Sequence, residues 1–170
     1  MGLPHPSRVL CGRVGSHATG PTRAHPPRTG QRYDLQVKMT ARKCRILVVD
    51  DEEPIVEIIE SMIARFGHET LHAYSGQEAV ALARDARPDA LVTGIMMAGG
   101  DGVWTAQQFR QLLPSCKIVF VSTALYDAKL RQVLVAEGYD ERIMLTKPFE
   151  AAQLANALTI AGIPSAIDEM

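Results

Sequence analysis

Two carboxylates side by side, Asp50 and Asp51, close the apolar run Ile46-Leu47-Val48-Val49. Adjacent carboxylates repel each other and call for a cation. A hard divalent ion such as Mg²⁺, held through one or two carboxylates and several waters, suits them best. A second apolar run ends at the hydroxyl of Thr123, and a third at the ammonium of Lys147, followed by Pro148-Phe149. With a metal, Asp50, Asp51 and Lys147 are a set able to assist phosphate hydrolysis. Against an enzyme, the chain has no glycine-rich cofactor loop and no His or Cys nucleophile at the end of an apolar run. The plainer role for an acidic pair is to stabilise a helix N-terminus by about 0.3–1 kcal/mol. One more run, Ala90-Leu91-Val92-Thr93, ends at Gly94, which brings no side chain at all.

These residues are far apart in the chain, so a fold must gather them. Short apolar runs alternate with amphipathic stretches from Arg45 onward. Continuous apolar runs are the mark of parallel strands buried on both faces. The pattern predicts strands at 46–49, 70–74, 90–94, 117–122 and 143–146. It predicts helices from Pro54 to Phe66, from Ser75 to Arg87, over 103–113, over 127–137 and over 150–161. Pro54 is tolerated in a first helical turn, Ile55, Ile58, Ile59, Met62, Ile63 and Phe66 follow at helical steps, and Gly67 suits the end. Ser75 is a candidate N-cap. Five strand–helix units imply a parallel sheet with helices on both faces, joined by right-handed crossovers. Functional groups of such a sheet collect beyond the carboxyl ends of its strands, where Asp50, Asp51, Gly94, Thr123 and Lys147 all fall.

The charge is unevenly spread. Residues 1–42 hold seven Lys/Arg against Asp34 alone, about +6, whereas 43–170 are about −7, giving the net −1 of the chain. Five of the ten prolines and five of the thirteen glycines lie in residues 1–38, without apolar periodicity. The sequence therefore divides into a disordered basic leader (1–42), a domain (43–163) and a short C-terminal tail (164–170). Val9-Leu10-Cys11 is too short for a secretory core, and Met39 offers an alternative start. Cys11, Cys44 and Cys116 make no disulfide framework. Cys44 and Cys116 open strands about two spacings apart, too far for a bridge, which fits free thiols in a reducing cytoplasm.

Asp50-Asp51, the stretch Pro88–Met97, Thr123 and Lys147-Pro148-Phe149 together resemble the receiver domain of two-component response regulators. The resemblance implies a flavodoxin-like, doubly wound (βα)5 fold with strand order 2-1-3-4-5 (CheY-like), cytoplasmic and non-enzymatic. It implies that position 94 holds the aspartate phosphorylated by a histidine kinase. Mg²⁺ on the acidic pair, the Thr123 hydroxyl and the Lys147 ammonium would then support the transferred phosphoryl group. Here the acceptor is Gly94, so the chain resembles a pseudo-receiver. Its expected role is a stand-alone, phosphorylation-independent protein-binding module in a phosphorelay.

The metal site loses its third carboxylate with position 94, so no resident cofactor is expected and Mg²⁺ binding, if any, through Asp50 and Asp51 should be weak. Lys147 is expected to turn to Asp50 or Asp51 and form a constitutive ion pair. Asp51 is the best surrogate acceptor. Thr93 points to the other face, Asp89 starts its strand, and Asp101 lies beyond the glycine loop. The resemblance implies proline at Ala98, and Ala98-Gly99-Gly100 is expected to leave a loose loop. It implies an aromatic switch residue at Met144, for which Tyr139 is a partial substitute. Gly94 is expected to cost about 0.5–1 kcal/mol within its strand. Partners implied are a histidine kinase, a phosphotransfer protein or another signalling protein, with room for a homodimer. No membrane contact is expected, and nucleic acid only through the leader. His68 and His72 read as packing or surface residues. Trp104 reads as half-packed structure or a partner anchor.

Overall fold

The computed structural model of the chain describes residues 42–167. The basic leader up to residue 41, with Cys11 and Met39, and residues 168–170 lie outside the described residues. The strands are β1 (Arg45–Val49), β2 (Glu69–Ala73), β3 (Ala90–Thr93), β4 (Met96–Met97), β5 (Gly100–Asp101), β6 (Lys117–Ser122) and β7 (Met144–Thr146). The helices are α1 (Glu53–Arg65), α2 (Gly76–Ala86), α3 (Gly102–Leu112), α4 (Ala128–Ala136) and α5 (Ala151–Ala161). Five strands form one parallel sheet in the order β2-β1-β3-β6-β7, which is 2-1-3-4-5 once the short β4–β5 ladder is set aside.

The central strands carry the core. Ile46, Leu47, Val48 and Val49 of β1 are wholly buried, as are Leu91 and Val92 of β3 and Val119, Phe120 and Val121 of β6. Each such side chain contributes about 1.5–3 kcal/mol of transfer free energy, which fixes the register that places the strand ends together. Helix α1 enters through Pro54 in its first turn and buries Val56, Ile59 and Ile63. Ile58, which shares the helical spacing, lies one step around the helix and is 52% exposed. Ser75 caps α2, its Oγ accepting from the Glu78 amide at 3.2 Å. Cys44 and Cys116 are free, at the starts of strands that β3 separates.

The segment after α5 folds back: the Ala166 amide donates to the Phe66 carbonyl at 2.8 Å, and the Ser165 hydroxyl donates to the same oxygen at 3.2 Å. No helix among the described residues is long and apolar enough to cross a membrane.

Candidate functional site

Parallel strands ending at one edge deliver the site. Asp50 and Asp51 follow β1, Gly94 follows β3, Thr123 follows β6 and Lys147 follows β7. Asp50 is 1% exposed. Its Oδ1 accepts from the Glu52 amide at 3.1 Å, and its Oδ2 lies 2.5 Å from Lys147 Nζ. The Lys147 side chain is 16% exposed, so this ion pair is largely withdrawn from water. Removing one member of such a pair leaves an uncompensated charge and costs roughly 3–5 kcal/mol. Of the two partners expected for Lys147, it takes Asp50. Asp51 stays exposed, and its Oδ2 accepts from the Ala98 amide at 2.7 Å.

At Gly94 an added side chain would meet close neighbours. A Cβ there would sit 3.0 Å from Asp50 Oδ2, 3.3 Å from Met97 Cγ and 3.4 Å from Met97 Sδ. Met97 and the Asp50 carboxylate thus close around the position. Gly94 itself stands one residue past the end of β3, so the expected penalty for glycine inside a strand does not apply. Close by, a Cβ on Gly102 would collide with the Gly94 carbonyl oxygen. Glycine at 102 is what allows α3 to start hard against the end of β3.

The loop after β3 is not loose. Met96 and Met97 pair antiparallel with Asp101 and Gly100, and the Asp51 carboxylate fastens the tip at Ala98. Proline at 98 has no N–H and could not make that bond. The alanine therefore gives the loop a tie where it was expected to remove a stiffener. Asp101 is occupied as the cap of α3, its Oδ1 accepting from the Val103 amide at 2.7 Å. Asp89 sits at the opposite end of β3, where it accepts from the Arg45 amide at 2.8 Å.

Thr123 is exposed and opens a 3-10 turn, Thr123–Tyr126, whose cap is the neighbouring Ser122. Ser122 Oγ accepts from the Ala124 amide at 3.1 Å. Met144 is 4% exposed and belongs to the core. Tyr139, expected as a partial substitute for the switch aromatic, is 7% exposed. Its ring packs edge-on against Phe120 at 4.9 Å, with the Arg110 guanidinium 4.8 Å from its centroid. Arg110 is in the last turn of α3, toward the far end of the sheet from Lys147. A second 3-10 turn, Glu141–Ile143, leads into β7. The Lys147–Pro148 peptide is cis.

The other singled-out residues have local duties. Thr93 is buried and its hydroxyl donates to the Gly94 carbonyl at 2.9 Å. His68 is buried and its Nδ1 accepts from the Cys44 amide at 3.3 Å, while His72 is exposed beside Glu60. Trp104 is partly exposed and lies against Gly76 at the start of α2.

As a metal site the residues do not fit. One carboxylate is bonded to an ammonium, the second to a backbone amide, and the third strand end supplies no ligand. Among the described residues no three His, Cys, Asp or Glu side chains are grouped to hold a metal ion.

A parallel sheet of order 2-1-3-4-5 with an acidic pair, a hydroxyl and a lysine at its carboxyl edge defines the receiver class of signalling domains. Residues 46–159 match the response regulator receiver domain family, and the chain belongs to that family. It is similar to the solved response regulator receiver protein from Sinorhizobium medicae WSM419, at 30% identity and a TM-score of 0.60, covering 71% of this chain and 94% of that one. The receiver domain of a Francisella response regulator is 27% identical with a TM-score of 0.62, covering 70% and 96%. A response regulator receiver domain protein from Clostridium thermocellum, at 24% identity and 0.60, covering 69% and 93%, shows the same fold. The chain is thus a receiver domain of two-component signalling.

Sequence reasoning missed three features of the site. Met97 as the residue beside Gly94 had a faint signal, a flexible apolar side chain three positions after the glycine. The tie from Ala98 to Asp51 had none, because a backbone amide leaves no mark in the sequence. The third is Arg131, whose side chain ties the turn after β6 to β7.

Proposed function

We propose that this receiver domain signals without being phosphorylated and works as a protein-binding module. The observation that carries this reading is the closure around Gly94: Met97 and Asp50 Oδ2 occupy the surroundings of an acceptor side chain, and Lys147 is bonded to Asp50. The lysine pairs with a carboxylate already present, so no incoming anion is needed to neutralise it. Asp51 is exposed, as a surrogate acceptor must be, and one of its carboxylate oxygens, Oδ2, accepts from the Ala98 amide.

The partner is then a histidine kinase, a phosphotransfer protein or another regulator in the cytoplasm, met through α1 or through the surface of α4, β7 and α5. Residues 43–163 make up the binding domain, and the basic leader is a separate segment of the chain. Calorimetric titration of the protein with Mg²⁺ tests the reading. The expected result is no saturable heat below about 1 mM. Sub-millimolar binding at one site, lost on Asp50→Asn, contradicts it.

A further inference from the structure

The residue that couples the two sides of the pocket is Arg131, on the first turns of α4. Its Nε donates to the Leu125 carbonyl at 2.7 Å, and its Nη2 donates to Thr146 Oγ1 at 2.8 Å. Its Nη1 lies 3.5 Å from Glu141 Oε1. One guanidinium thus joins three segments: the 3-10 turn that starts with Thr123, strand β7 one residue before Lys147, and the turn that precedes β7. The planar fork of arginine can hold several partners in fixed directions at once, which a lysine ammonium on a flexible stem cannot.

We propose that Arg131 is a positioning residue that locks the Thr123 turn to the Lys147 strand, so that the start of α4 keeps one arrangement whatever happens in the pocket. This rests on the phosphorylation-independent reading. For a hydroxyl at Thr123 to respond to a group arriving in the pocket, its turn must be free to move. Here the turn is held at both ends and in the middle. Ser122 Oγ caps its start, Asp127 Oδ1 accepts from the Lys129 amide at its exit, and the Leu125 side chain is buried while its carbonyl is bonded to Arg131. Packed elements of this kind change between discrete arrangements and not by gradual bending. A fork spanning both elements therefore selects a single arrangement.

Backbone amide exchange on the full chain tests the lock. The reporters are the Asp127 amide, bonded to the Ala124 carbonyl at 3.0 Å, and the Lys147 amide, bonded to the Ser122 carbonyl at 3.3 Å. The controls are the Gly94 amide, bonded to the Val49 carbonyl at 2.8 Å, and the Asp50 amide, bonded to the Ala73 carbonyl at 3.3 Å. Loss of hydrogen bonds from a charged donor predicts about 10- to 100-fold faster exchange at both reporters in Arg131→Met, with the controls unchanged. Arg131→Lys restores neither reporter. Thr146→Val, which removes one arm and leaves the rest of the fork, speeds Lys147 and spares Asp127.

Unchanged reporters in Arg131→Met overturn the proposal, as does equal acceleration of reporters and controls. If Arg131→Met does not fold, an unchanged Lys147 amide in Thr146→Val overturns it. Acetyl phosphate with Mg²⁺ added to the unsubstituted protein separates the two levels. Phosphoryl uptake there removes the reading beneath the lock, whereas no uptake there together with unchanged reporters in Arg131→Met removes the lock alone.

Discussion

Gly94→Asp places a carboxylate where the pocket has closed, and its cost follows from the distances. The new Cβ starts 3.0 Å from Asp50 Oδ2, so the two carboxylates end about 4 Å apart. At an effective dielectric near 20 they repel by about 4 kcal/mol. Lys147, already 2.5 Å from Asp50, attracts the newcomer too and returns roughly half of that, leaving about 2 kcal/mol of destabilisation. For a domain of this size each kcal/mol moves Tm by about 3–5 °C, so Tm should fall by about 6–10 °C in the absence of divalent ions. The substitution also rebuilds a metal site. Binding near 1 mM affinity would restore about 1.4 kcal/mol at 10 mM Mg²⁺, or about 4–7 °C. The assay is thermal unfolding at fixed ionic strength with and without Mg²⁺, on the unsubstituted protein, Gly94→Asp and Gly94→Ala. Gly94 lies outside the left-handed backbone region, so alanine should stay within about 1 kcal/mol and ignore Mg²⁺. A Gly94→Asp protein as stable as its parent without Mg²⁺ would refute the reasoning. So would a parent that gains as much from Mg²⁺ as the variant does.

Ala98→Pro removes the amide that ties Asp51. It should cost about 1–2 kcal/mol in urea unfolding and loosen the amides of residues 96–101 in hydrogen exchange, with β1 unaffected. Burial pushes the His68 imidazole below its ordinary value, and the Pro164 backbone and Asp89 offset only part of that. The unfolded chain then binds the proton more readily, so the stability tied to neutral His68 is complete above about pH 6.5 and is lost as pH falls through the lower folded value. The unfolding midpoint should therefore drop more steeply from pH 7.5 to pH 5 in the parent than in His68→Gln, which keeps an acceptor for the Cys44 amide; equal slopes would count against it.

The sheet was legible because its strands are continuous apolar runs: the Val48-Val49 and Val119–Val121 stretches permit little but a two-sided interior. Topology placed Asp50, Gly94, Thr123 and Lys147 together for the same reason. The choice of Asp50 over Asp51 for Lys147 was not legible. It depends on the turn after β1, which buries one carboxylate and leaves its neighbour in water. Gly99 and Gly100 read as a loose loop because glycine composition reports freedom and not the ties that limit it. The two-residue ladder and the bond to Asp51 are backbone events. Tyr139 shows the converse limit. The resemblance offered it as a partial substitute for the aromatic at Met144, but the turn at 141–143 lies between it and Lys147 and the ring packs on Phe120.

Intact mass after incubation with Mg²⁺ and acetyl phosphate asks the protein whether it has an acceptor. With Met97 and Asp50 closed around Gly94 and the Asp51 carboxylate bonded to Ala98, the mass should not change. An acid-labile gain of one phosphoryl group on the unsubstituted chain would contradict that, and its loss on Asp51→Asn would name the surrogate.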